Sequence, residues 1–207
     1  MESTYIETQQ ITFQDFKNQI LEDYKLGRIS REMSYLGRRE VLTGKAKFGI
    51  FGDGKELPQL AMAKVFKNGD FRSGYYRDQT FALAIDAVSV ESFFAQLYAD
   101  TNVEREPASA GRQMNGHYAT RSLNEDGSWK NLMQQKNISS DISPTAGQMP
   151  RLLGLALASK VYKSVKFDGS EKFSNDGNEV AFGTIGDAST AEGHFCETLN
   201  AACALQV

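Results

Sequence analysis

A turn of small residues around one carboxylate, Gly183-Thr184-Ile185-Gly186-Asp187-Ala188-Ser189, follows a short apolar run and precedes a helical pattern that begins near Glu192. If the run is a strand, the turn lies where open α/β sheets place their ligands, at the carboxyl end of a strand. A carboxylate there can hold a hard cation such as Mg²⁺ through oxygen, and the free N–H groups opening a helix suit an anion. Asp is also a favoured helix cap, and on spacing alone the plain cap is the simpler reading. Two further groups have useful chemistry. Tyr76-Arg77 pairs an aromatic ring with a guanidinium, and His117, in the polar segment GRQMNGHY, carries an imidazole. Taken singly, these remain open to blander readings: an aromatic and a charge in a turn, and a solvated imidazole. Two common phosphate loops are excluded. GTIGDAS lacks the third glycine of the dinucleotide fingerprint, and TGKAKFG has Gly44-Lys45 with neither a following Ser or Thr nor a correctly spaced first glycine.

The elements that must position these groups come in two styles. Thr12 can cap an amphipathic helix in which Phe13, Phe16, Ile20, Leu21 and Tyr24 follow the 3.6-residue period to Gly27, and Ser30 caps a second helix to about Leu42, stopped by Gly44. Residues 1–45 therefore read as a helical arm. Gly49, Gly52 and Gly54 make a turn before a helix from Glu56 to Phe66, with Pro58 tolerated in its first turn, and Ser89 or Ser92 caps a short helix in SVESFFAQLYAD. Residues 100–147 show little periodicity and many Gly, Asn, Ser and Asp. So long an irregular stretch is either functional or disordered, and its few apolar anchors point to partial disorder when nothing else covers it. From Gln148 a helix with Pro150 near its start is apolar nearly all round and should be buried on most sides. Helix, strand, turn and helix in that order are those of an α/β domain with a parallel sheet, here spanning 46–207. The apolar ending ALQV stops where another strand should start, so the chain is expected to be an amino-terminal piece of a longer protein.

The 207 residues carry 23 basic and 26 acidic side chains, a net charge of -3, which argues against a nucleic-acid partner. No stretch of 18 apolar residues exists, and MESTYIETQQ lacks the order of a signal peptide, so no membrane partner and a cytoplasmic location are expected. Cys196 and Cys203 would lie roughly 10 Å apart along a helix, beyond the reach of a disulfide. They read as reduced thiols in a core.

Five segments, FGDGKELPQLAMAKVFKNGD, GYYRDQTFAL, GRQMNGHY, SPTAGQMPRLLGLALASK and VAFGTIGDASTAEGHFCETLNAA, occur in the order and spacing of the alpha-type chains of thiamin-diphosphate-dependent 2-oxo acid dehydrogenases. The chain resembles that family over roughly residues 51–202, and GRQM followed by HY is most similar to its branched-chain branch. The resemblance implies a thiamin-diphosphate-binding, Rossmann-like domain and the oxidative decarboxylation of a 2-oxo acid, with the acyl group passed to a lipoyl group on a partner acyltransferase. It implies that Tyr76 and Arg77 hold the cofactor diphosphate and that Asp187 is the Mg²⁺ ligand. Gly186, Ala188 and Ser189 would turn the backbone towards the diphosphate, Ser143 and Thr145 would line the aminopyrimidine, and His117 would act near the reactive carbon. His194 has no counterpart and reads as a helix-surface residue. Pro144 and Gln148 match part of a potassium site, but Gly147 replaces a threonine that helps hold that ion. Ala188 replaces a motif glycine, which strains the turn if φ there is positive. A second, Asn-bearing half of the metal motif would lie past Val207. A beta-type chain or domain would complete the site, so an oligomer is expected. A pyruvate or acetoin dehydrogenase of the same family, and a non-catalytic domain that kept the fold, are the alternatives.

Overall fold

The computed structural model describes residues 11–207. The polar amino terminus, on which the signal-peptide reading rests, lies outside the described residues. The first element is one helix, α1, Phe13–Leu42, capped by Thr12, whose side chain accepts from the Asp15 N–H. The two-helix expectation fails because neither Gly27 nor Ser30 interrupts it. At Gly27 a second helix, α2 (Glu56–Val65), packs close; an added Cβ would lie 3.6 Å from Leu60 Cδ1. Ser30 is fully buried and meets the Thr80 hydroxyl at 2.7 Å, while its carbonyl accepts from Gln79 Nε2 at 2.8 Å. Packing on one face thus outweighs the roughly 1 kcal/mol helix penalty of a glycine. Pro58 sits in the first turn of α2 as expected.

The chain then enters β1 (Phe71–Ser73), a strand not evident from the sequence pattern, followed by α3 (Gln79–Ala84) and α4 (Val90–Leu97). Ser89 caps α4 in a reciprocal capping box with Ser92, so both candidate caps take part. After the long loop come β2 (Asn137–Ile138), α5 (Gln148–Ser164), β3 (Ala181–Gly183) and α6 (Gly193–Leu205). The three strands form a parallel sheet in the order β2-β1-β3, with Arg72 opposite Ile138 on one side and Phe182 on the other. This is the α/β class expected. Its core joins Phe66, Phe81, Ala82, Ile85, Tyr118 and Ile138, with Phe182 against them. A second cluster, Met33, Leu83 and Phe93, ties the later turns of α1 to α3 and α4. No helix among the described residues is long and apolar enough to cross a membrane.

Three expectations about burial need correcting. In α5 only Gln148 and Met149 are fully buried, because three short strands leave the helix little sheet to cover. Cys196 and Cys203 are exposed rather than in a core, since α6 rests on α5 through the opposite side, which carries Thr198, Ala201 and Ala202. The loop from Asp100 to Gly147 takes a defined course, contrary to the partial disorder its composition suggests. Buried polar groups hold it together with a few apolar anchors, Tyr118, Leu132 and Ile138. Glu106, 1% exposed, accepts from the N–H groups of Ala108, Ser109 and Gly111 and from the Ser109 hydroxyl. Asn115 brackets the Ile50 peptide, donating to its carbonyl at 2.8 Å and accepting from its N–H at 3.0 Å.

Candidate functional site

Because β2, β1 and β3 are adjacent and parallel, the three loops that follow them leave the same edge of the sheet. Ser73 leads into Tyr75-Tyr76-Arg77, Ile138 into Ser143-Pro144-Thr145, and Gly183 into Gly186-Asp187-Ala188-Ser189. The first and third loops touch: a Cβ built on Gly186 would lie 3.6 Å from Tyr75 Cε2 and 3.3 Å from Ser189 Oγ. The Tyr75 and Tyr76 rings meet edge to face with centroids 5.2 Å apart, and the Arg77 guanidinium lies 5.7 Å from the Tyr76 ring centre.

Beneath this edge lies a buried cluster that ties all three loops together. Arg72, in the central strand, donates from Nη2 to Asp78 Oδ2 at 2.6 Å and from Nη1 to Asp141 Oδ1 at 3.0 Å. Asp78 also accepts from the Thr184 hydroxyl, which follows β3, and Asp141 accepts from the Tyr118 N–H at 3.0 Å. All three charged side chains are almost wholly buried. Burial works against the Arg72 charge, but the two carboxylates outweigh it and raise its pKa; burial pushes the Asp141 carboxyl up, since one guanidinium is shared between two acids. Gly74 is a glycine of necessity, because a side chain there would collide with both Asp78 and Arg72.

His117 is 5% exposed, and both of its ring nitrogens are engaged. Nδ1 lies 3.0 Å from the Met114 carbonyl and Nε2 lies 3.0 Å from Ser143 Oγ. A carbonyl only accepts, so Nδ1 carries the proton of the neutral ring, and Nε2 is the bare nitrogen that accepts from the Ser143 hydroxyl. Gln96 of α4 grips the His117 peptide, donating to its carbonyl at 2.9 Å and accepting from its N–H at 3.3 Å. Gly116, at φ +80°, lets this segment approach the Tyr76 carbonyl, which an added Cβ would meet at 2.8 Å. Thus the structure brings His117 to Ser143 and the His117 segment to Tyr76.

Arg77, Ser143, Thr145, Asp187 and Ala188 are exposed along this edge. Arg77 makes no ion pair among the described residues. Asp187 stands at the cap position of a 3-10 turn, Ala188–Ala191, yet its side chain accepts no capping bond. Ala188 lies inside that turn and is not among the residues with positive φ, so its departure from glycine brings no strain. The Ser189 N–H is already given to the Gly186 carbonyl at 3.0 Å, which leaves the Ala188 N–H as the freer donor of that pair. The potassium-site positions are filled by one another. A Cβ at Gly147 would meet Ile142 Cδ1 at 2.8 Å and the Pro144 carbonyl at 3.2 Å, that carbonyl already accepts from the Gly147 N–H, and Gln148 Nε2 donates to Thr184 O at 2.9 Å. These residues do not fit a potassium ion held by a threonine at 147. His194 is exposed on α6 as expected, and in addition its Nε2 bonds the Thr145 carbonyl at 2.9 Å.

Sequence reasoning missed Arg72, Asp78, Asp141, Thr184 and Gln96. The signal available was a charge in the run Phe71-Arg72-Ser73, between residues that read as buried; its partner Asp141, 69 positions on, had none.

The model of a family described as dehydrogenase E1 component matches residues 24–207. The chain belongs to the dehydrogenase E1 component family. A curated relative, the 2-oxoisovalerate dehydrogenase subunit alpha of Bacillus subtilis (strain 168), is 29% identical over 175 residues, covering 84% of this chain and 42% of the relative. The chain therefore spans about two fifths of that protein's length. Every candidate site residue and every member of the buried cluster lies within the region matched by the dehydrogenase E1 component family, whereas the first turns of α1 lie before it.

Proposed function

We propose that this chain supplies the diphosphate and metal side of a thiamin diphosphate site in a 2-oxo acid dehydrogenase, with a branched-chain 2-oxo acid as substrate. The observation that carries the reading is the gathering of Tyr76-Arg77, Ser143-Thr145 and Asp187 at one edge of a parallel sheet, with the Arg77 guanidinium and the Asp187 carboxylate both unpaired among the described residues. A free cation and a free carboxylate on loops that leave the same edge of the sheet suit a diphosphate carrying a hard divalent ion. Arg77 would meet the anion, and Asp187 would be this chain's one side-chain ligand to Mg²⁺, the phosphate oxygens supplying others. Among the described residues no group of three or more His, Cys, Asp or Glu could hold a metal by itself. Ser143 and Thr145 would face the aminopyrimidine.

When bound, thiamin diphosphate supplies the electron sink for loss of CO₂ from a 2-oxo acid. The residues of this chain would orient the reacting groups and move a proton. His117 would take a proton from the substrate, or return it, at Nε2, where the Ser143 hydroxyl now donates, and the Met114 carbonyl holds the ring orientation through Nδ1. A beta-type partner would complete the pyrimidine side, and a lipoyl-bearing acyltransferase would receive the acyl group. The branched-chain preference rests on the name of the relative and on the GRQM…HY segment.

Calorimetric titration of the chain with thiamin diphosphate, with and without Mg²⁺, tests this reading. We expect binding weaker than micromolar, short of about -8 kcal/mol, because a partner's contacts are missing. It should require Mg²⁺, and Asp187→Ala should abolish this metal-dependent binding without changing the circular dichroism of the fold. Equal affinity with and without the metal, or an unchanged response in the variant, would place the cation elsewhere and refute the assignment.

A further inference from the structure

At the far end of β1 from the loops described above, a cleft of about 460 Å³ opens between α5 and the chain around Trp129 and Phe173. Its volume falls within the roughly 300–1,000 Å³ of small-molecule sites. Aromatic residues make half of its lining: Phe71, Trp129, Tyr162, Phe167 and Phe173. Tyr162 and Phe173 stack with centroids 5.9 Å apart and planes 13° from parallel, and Trp129 stands across Phe173 at 80° with centroids 5.2 Å apart. The rings thus form a corner, and Trp129 and Phe167, each 52% exposed, leave it open to solvent.

The only charged residue lining the cleft is Glu179. Its Oε1 accepts from the Ser159 hydroxyl at 2.6 Å and its Oε2 from the Asn175 N–H at 2.9 Å. Partial burial pushes the carboxyl up, but the hydrogen bonds from Ser159, Ser174 and Asn175 outweigh burial and bring it below the ordinary carboxylate range, so it is an anion at neutral pH. Aromatic faces carry partial negative charge and attract cations within about 6 Å, most strongly when the cation sheds little water on entering. A carboxylate beside perpendicular aromatic walls, with no basic side chain among the lining residues, selects against anions and favours a positive charge on an apolar body.

We propose that this cleft binds a small organic cation bearing a quaternary ammonium group, at a site separate from the candidate cofactor edge. Trp129 is the only tryptophan of the chain, so its fluorescence reports on the cleft directly. The probe is choline, compared with its neutral isostere in which a quaternary carbon replaces the nitrogen. Choline should change the Trp129 emission saturably, and the isostere should bind about tenfold more weakly, the scale of one or two cation–π contacts. Glu179→Gln should weaken choline by about tenfold while leaving the isostere unchanged. If that variant unfolds, Phe173→Leu, which keeps an apolar wall but removes the π face, should erase most of the preference for choline. No saturable response to choline, or equal affinities for choline and its isostere in the unaltered chain, would overturn the proposal.

Discussion

His117 and His194 are the two histidines of the chain, and each bonds a backbone carbonyl through a different nitrogen. His117 must donate from Nδ1 to Met114, while His194 must donate from Nε2 to Thr145, so their neutral rings are opposite tautomers. Imidazole ¹⁵N NMR at a pH where both rings are neutral should show one ring protonated at Nδ1 and the other at Nε2, with Ser143→Ala perturbing only the first. Two rings of the same tautomer would break the geometry that makes His117 Nε2 the proton acceptor. At this scale the sequence showed the candidate ligand-facing groups, because Arg77, His117 and Asp187 are chemically distinctive and sit in short motifs. It did not show what holds them. Arg72, Asp78, Asp141 and Thr184 become a cluster only when three strands align, and residues 69 and 106 positions apart leave no periodic trace of each other.

Helix α1 shows how an element can be misread from its residues. Gly27 and Ser30 carry the signals of a break, yet the chain runs through both, because α2 and α3 pack closely there and supply partners. Its two glycines now have opposite expected effects. An Ala at Gly27 would meet Leu60 Cδ1 at 3.6 Å and Glu56 Cβ at 3.7 Å, ordinary contact distances, so Gly27→Ala should stabilise the fold by about 1 kcal/mol through helix propensity. An Ala at Gly37 would collide with the Phe51 ring, so Gly37→Ala should destabilise it by about 1–3 kcal/mol. Urea unfolding of the two variants checks both signs. A loss of stability in Gly27→Ala would mean that α1 bends or breaks there. The caps at Thr12 and Ser89, the first-turn prolines and the late strand-turn-helix were legible because local chemistry decides them. Strand β1, three residues long and flanked by glycines, was not, since its extended form depends on neighbours supplied by β2 and β3.

At the scale of the molecule, the sheet places three loops at one edge and the aromatic cleft at the other end of the same central strand. The class of fold was readable from the order of elements after Gln148, whereas the long loop from Asp100 to Gly147 was not, because buried polar groups such as Glu106 and Asn115 order it. In the proposed function Tyr76-Arg77, Ser143-Thr145 and Gly186-Asp187-Ala188-Ser189 act as one binding edge. Hydrogen-exchange mass spectrometry of the chain, with and without millimolar thiamin diphosphate and Mg²⁺, tests it most directly. Amides in segments 75–77, 143–147 and 186–190 should slow together, the slowing should require the metal, and amides around Trp129 and Phe173 should be unaffected. Protection confined to one of the three segments, or appearing only away from them, would contradict it.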